Sequence, residues 1–188
     1  MVLSILSYYL FVSAGMAAFF AAYSFFKIKS GLAKIFSFFC ISVSIYLFGY
    51  LLEFNSITLG NMLLWNQIQY IGVPFIPAFW LLLTIKYFKN KYVFKKITLA
   101  LLFLIPVLTF FLHLTNKFHS LFYSKIELAD YGAIPVLLLS KGPWYIVHFT
   151  FVTLCFLFSI YLYFTRLKYS ESQKRKGVIL MIAASLFL

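Results

Sequence analysis

The residues of this chain with the widest chemical reach are its histidines, His113, His119 and His148, set among 188 residues with only four carboxylates, Glu53, Glu127, Asp130 and Glu171. Imidazole ligates zinc and copper, and it also serves as a hydrogen-bond donor and acceptor. Metal binding needs His pairs at i and i+4 or a local group of Cys, His and carboxylate, and neither spacing occurs, so no metal is expected. His113 and Asn116 are three residues apart, and Trp144 and His148 four apart, so each pair shares one helix face. Asn66, Gln67 and Gln69 with Tyr70 form a second polar group in "WNQIQY". Brought together, Asn66, Gln69, Tyr70, His113, Asn116, His119, Trp144 and His148 would line a partly polar, aromatic-walled pocket, the usual form of a small-ligand site. Interhelical hydrogen bonding with no ligand is the plainer alternative.

Catalysis finds no foothold. No serine sits in a nucleophile elbow and no glycine loop is built to cradle phosphate, so neither a catalytic residue nor a cofactor is expected. Cys40 and Cys155 both lie in apolar runs, which favours buried thiols over a disulfide.

The elements that must position these residues are apolar runs at about 3–26, 35–52, 62–85, 97–115, 144–165 and 177–188. With 64% hydrophobic and 11% charged residues, the composition is that of an integral membrane protein. Aromatic residues make up 22%, suited to lipid-facing and interfacial positions. The first five runs approach or exceed the ~20 residues that cross a bilayer core, so the expected fold is all-α, a polytopic transmembrane helix bundle with five full spans. The sixth run covers only ~18 Å at 1.5 Å per residue, and a truncated span is the expectation. Residues 1–188 are thus expected to be a single transmembrane domain, incomplete at its C-terminus. The first run lacks a basic leader and a convincing cleavage site, so it is expected to remain as a span.

Lysine and arginine set the orientation. Connections 27–34, 86–96 and 166–176 hold three, five and five of them, whereas 53–61 and 116–143 hold none and three. The split of 13 to 3 predicts an N-terminus outside the cell, with all three histidines on the outward side. The net charge of +12 therefore belongs to short loops between spans, and no nucleic-acid partner is expected. No Lys, Arg, Asp or Glu lies deep in a span, which argues against ion channels and proton-coupled pumps and leaves carriers of neutral solutes open.

Pro74, Pro77 and Pro106 each remove a backbone donor within an apolar run and predict helix kinks, either hinges or cavity walls or simple packing features. In the loop 116–143, "LFYSKIELADYGAIPVLLLS" places two β-tolerant runs around "DYGA", which predicts a hairpin, with a re-entrant or interfacial segment as the alternative.

Three stretches carry a family resemblance: "YIGVPFIPAFWLLLTIKYF", "LIPVLTFFLHLTNKFHSLFY" and "KGPWYIVHF". Their order and spacing resemble the N-terminal seven-transmembrane sensor region of bacterial histidine kinases, over about residues 65–165. The resemblance implies a seventh helix beyond the sixth, then a cytoplasmic output region, commonly a histidine kinase and in related proteins a diguanylate cyclase. It also implies a homodimer and a response regulator as downstream partner. The expected function is a sensory input domain that reads an unknown small ligand from the outside or from the lipid bilayer. A neutral-solute permease and a non-catalytic membrane scaffold are the alternatives.

Overall fold

A backbone amide that faces hydrocarbon has no water to bond, so an apolar run must satisfy its donors internally and becomes helix. The computed structural model describes residues 2–88, 96–131 and 134–167. It contains α1 (Val2–Lys27), α2 (Gly31–Phe54), α3 (Leu59–Gln69), α4 (Ile76–Tyr87), α5 (Lys96–Leu114), β1 (Tyr123–Tyr131), β2 (Ile134–Lys141) and α6 (Pro143–Leu167). Among the described residues, five segments are long and apolar enough to cross a membrane, with α3 and α4 together forming the third, Leu59–Tyr87. The expected sixth run at 177–188 and most of the basic connections 86–96 and 166–176 lie outside the described residues.

Two expectations change. The helix expected at 35–52 is longer: the Ser30 side chain caps it by accepting a hydrogen bond from the Ala33 amide at 3.0 Å, and it continues to Phe54. Glu53, expected in a loop, is therefore in the last turn of α2. The third run is broken rather than kinked. After Gln69 the chain tightens, with the Ile71 amide bonding to the Ile68 carbonyl at 3.1 Å and the Gly72 amide to the Gln69 carbonyl at 2.9 Å. A 3-10 turn, Val73–Phe75, then carries Pro74, and Pro77 is the second residue of α4. A proline there costs little, because the first helical N–H groups have no intrahelical acceptor in any case. Pro106 lies buried within α5, which stays helical through it.

At the break the backbone of the third span also comes close to that of α2. A Cβ on Gly72 would sit 2.3 Å from the Ser42 carbonyl oxygen, so only glycine lets this turn rest on α2. The third span is the centre of the bundle: 61% of its most apolar window is buried, against 17–33% for the others. The remaining helices expose large apolar side chains such as Phe11, Phe19, Ile97, Leu101 and Phe164, which suits contact with lipid. With lipid outside and apolar side chains inside, polar bonds become the directional contacts between helices. The Ser37 hydroxyl donates to the Ala21 carbonyl at 2.7 Å, the Ser44 hydroxyl donates to the Ala14 carbonyl at 3.0 Å, and Thr84 bonds the Tyr163 hydroxyl at 2.6 Å across α4 and α6.

The hairpin expected in the long loop is present. β1 and β2 pair antiparallel from Tyr123 opposite Lys141 to Tyr131 opposite Ile134, with an irregularity between Tyr123 and Lys125. It covers one end of the bundle and packs through Ile126 and Leu139 onto a cluster of Tyr70, Phe122 and Tyr123.

Candidate functional site

At the hairpin end, helical spacing turns Asn66 and Gln69 of α3 and its C-cap Tyr70 inward and leaves Gln67 exposed. Thr109 and His113 of α5 are four residues apart and both buried, as is His148 of α6. These side chains meet in a polar junction.

One branch runs through α2, α3 and α5. The Glu53 carboxylate accepts from Asn66 Nδ2 at 3.2 Å and from Gln69 Nε2. With its amide nitrogen so committed, Asn66 presents Oδ1 to His113 Nε2 at 3.1 Å, and His113 is the donor. The imidazole lies flat on Tyr70, ring centroids 3.6 Å apart and planes 6° from parallel. The Tyr70 hydroxyl pairs with the Tyr123 hydroxyl at 2.9 Å, a direct link from the third span to β1. Burial pushes the Tyr123 phenol above its ordinary range, so it remains a protonated partner in that link at neutral pH.

A second branch joins α5 to α6. Trp144 Nε1 donates to Thr109 Oγ1 at 3.1 Å, and His148 Nδ1 stands 3.5 Å from the same oxygen, at the long limit for a bond. Phe122, fully buried, separates the branches: its ring meets Tyr70 and His113 edge-on at 5.1 and 5.2 Å and lies 6.2 Å from His148.

Asn116 holds the hairpin to this junction. Its Oδ1 accepts from the Phe122 and Tyr123 amides at 2.9 and 3.0 Å, while its Nδ2 donates to the Tyr123 carbonyl at 2.9 Å. The "GPW" stretch has an equally physical origin. A Cβ on Gly142 would lie 2.3 Å from the Leu121 carbonyl oxygen, and the Gly142 and Trp144 amides bond the Phe122 and Leu121 carbonyls. Glycine lets the chain enter α6 directly against the start of the hairpin.

Seven of the eight residues singled out from sequence, Asn66, Gln69, Tyr70, His113, Asn116, Trp144 and His148, thus gather here. His119 stays apart: its Nδ1 accepts from the Leu121 amide at 3.1 Å and its Nε2 bonds Thr115 Oγ1 at 3.0 Å, closing a local turn. Sequence reasoning missed Glu53, Thr109, Phe122 and Tyr123. Thr109 was findable, since it sits one turn before His113; Tyr123 depends on the hairpin folding back, which no local pattern encodes.

Beside the junction lies a cavity of about 200 Å³ lined by Tyr50, Glu53, Phe54, Met62, Pro135, Val136 and Leu137. Among the described residues, no three His, Cys, Asp or Glu side chains group as a metal site would require.

A family model for the N-terminal 7TM region of histidine kinase matches residues 9–188. No curated protein and no solved structure matches the chain. The match spans both the broken third helix and the "GPW" entry to α6, so the architecture just described is that of a recognised membrane region. The chain belongs to the family of N-terminal seven-transmembrane regions of histidine kinases.

Proposed function

We propose that this membrane sensory input domain, residues 1–188 acting as one unit, reads a small ligand at its hairpin end and passes the change through the polar junction to a cytoplasmic histidine kinase. The hairpin end faces outside, the kinase works as a homodimer, and a response regulator receives the phosphoryl group. The observation that carries this reading is the junction itself. Glu53, Asn66, His113, Tyr70 and Tyr123 join α2, α3, α5 and β1 in one continuous set of polar contacts and ring stacking. A displacement of the hairpin must break or move bonds that also hold three spans. Such a set has discrete arrangements, and a ligand that favours one of them biases the whole bundle.

The test uses the full-length kinase in membrane vesicles. His113→Ala and Asn116→Ala are expected to shift basal autophosphorylation several-fold, while the isolated kinase region keeps its rate. Basal and stimulated rates identical to wild type in both variants would remove the junction from the signalling path.

A further inference from the structure

We propose that the cavity between α2 and β2 binds a small organic ammonium ion, with the Glu53 carboxylate as counter-charge and Tyr50 and Phe54 as an aromatic wall. This names a ligand class for the sensory reading above, and it rests on that reading only for the signalling consequence.

Glu53 is placed at a cost. It occupies the last turn of α2, where the helix dipole disfavours negative charge. Its hydrogen-bond donors are the neutral amides of Asn66 and Gln69, and among the described residues the ion pair found is elsewhere, between Lys125 and Glu127. Both amides donate to Oε2. Oε1 accepts no hydrogen bond from the described residues, and Glu53 lines the cavity. An anion is repelled by this arrangement, and a neutral ligand leaves the charge uncompensated.

The walls select among cations. Tyr46, Tyr50 and Phe54 recur every four residues on one face of α2, with ring centroids 6.1 and 6.4 Å apart, and the last two of them line the cavity. Aromatic faces attract ammonium groups. Met62, Pro135, Val136 and Leu137 complete an apolar surface that would hold a short hydrocarbon portion. A bare Mg²⁺ or Ca²⁺ needs about six oxygen ligands, far more than this cavity offers. At about 200 Å³ the space is below the ~300–1,000 Å³ of sites for drug-sized ligands, so the occupant is small.

The ammonium group can come from a free amine or from a lipid headgroup. The experiment is saturation-transfer NMR on the full chain in nanodiscs of phosphatidylglycerol, with n-butylammonium as probe and n-butanol as its neutral counterpart. Binding of n-butylammonium in clear excess over n-butanol is expected, weakened roughly tenfold or more in Glu53→Gln, as loss of a charged hydrogen-bond partner requires. Leu137→Trp, on the same face of β2 as Leu139, leaves Glu53 and its amides in place and adds bulk to the cavity lining, so it should abolish binding even if Glu53→Gln folds poorly. Equal signals from the amine and the alcohol, or undiminished binding in Leu137→Trp, would overturn the proposal. Repeating the titration in phosphatidylethanolamine separates the sources: retained binding points to free amines, and loss by competition points to the headgroup. Binding without any change in kinase output would leave the site standing and remove the sensory reading; absence of binding would remove the site and leave that reading intact.

Discussion

At the scale of single residues, the polar side chains of this membrane domain act as joints between helices. A buried polar group must be bonded or it costs about 1–3 kcal/mol, and here the groups bond one another across element boundaries. The Tyr70–Tyr123 hydroxyl pair is the simplest to test, because both members can lose an oxygen and keep a ring. Tyr70→Phe, Tyr123→Phe and the double variant should give a coupling of about 0.6 kcal/mol, and no more than about 1.7, in a double-mutant cycle of unfolding in detergent. Strict additivity would mean that the hydroxyls do not share a bond. The three histidines show how far residue type alone reaches. His113 and His148 are buried at helix contacts, whereas His119 serves its own turn. Nothing in the sequence around His119 distinguishes it, because the difference lies in which way the chain leaves the end of α5.

At the scale of elements, the third span is interrupted where the bundle needs it to be. The prolines do not force the break by themselves. Pro77 occupies a position that a helix start tolerates, and Gly72 is the residue that lets the turn lie against Ser42 of α2. Gly72→Ala should therefore destabilise the domain by about 1–3 kcal/mol, the usual cost of overpacking, measured by thermal unfolding in detergent. Gly15→Ala is the internal comparison. A Cβ there meets nothing within 4 Å, and alanine in mid-helix should be neutral or stabilise by up to about 1 kcal/mol. Equal effects at the two positions would contradict the close approach of the turn to α2. The hairpin was legible from "DYGA" and its flanking runs, and its register places Ile126 opposite Leu139, both packed toward the bundle.

At the scale of the whole molecule, the distribution of basic residues predicts that the hairpin end lies outside the cell. Ile57→Cys, in the exposed connection between α2 and α3, should react with a membrane-impermeant maleimide added to intact cells. Lys29→Cys, in the connection between α1 and α2, should react only after the cells are opened. Cys40 and Cys155 are buried and should contribute little background. The reverse labelling pattern would invert the proposed topology. By itself, the sequence determined the class of the fold, its five described spans and the hairpin, because length, hydropathy and turn chemistry are local properties that the bilayer constrains strongly. It also determined that Asn66 with Gln69, His113 with Asn116, and Trp144 with His148 lie close along their own segments. Only the tertiary structure decided that Glu53 joins them, that Tyr123 reaches Tyr70, and that a cavity lies beside the polar junction. Those outcomes depend on how separate helices are rotated and how a hairpin folds back on them, and such rotation is set by packing between distant segments, which local pattern does not encode.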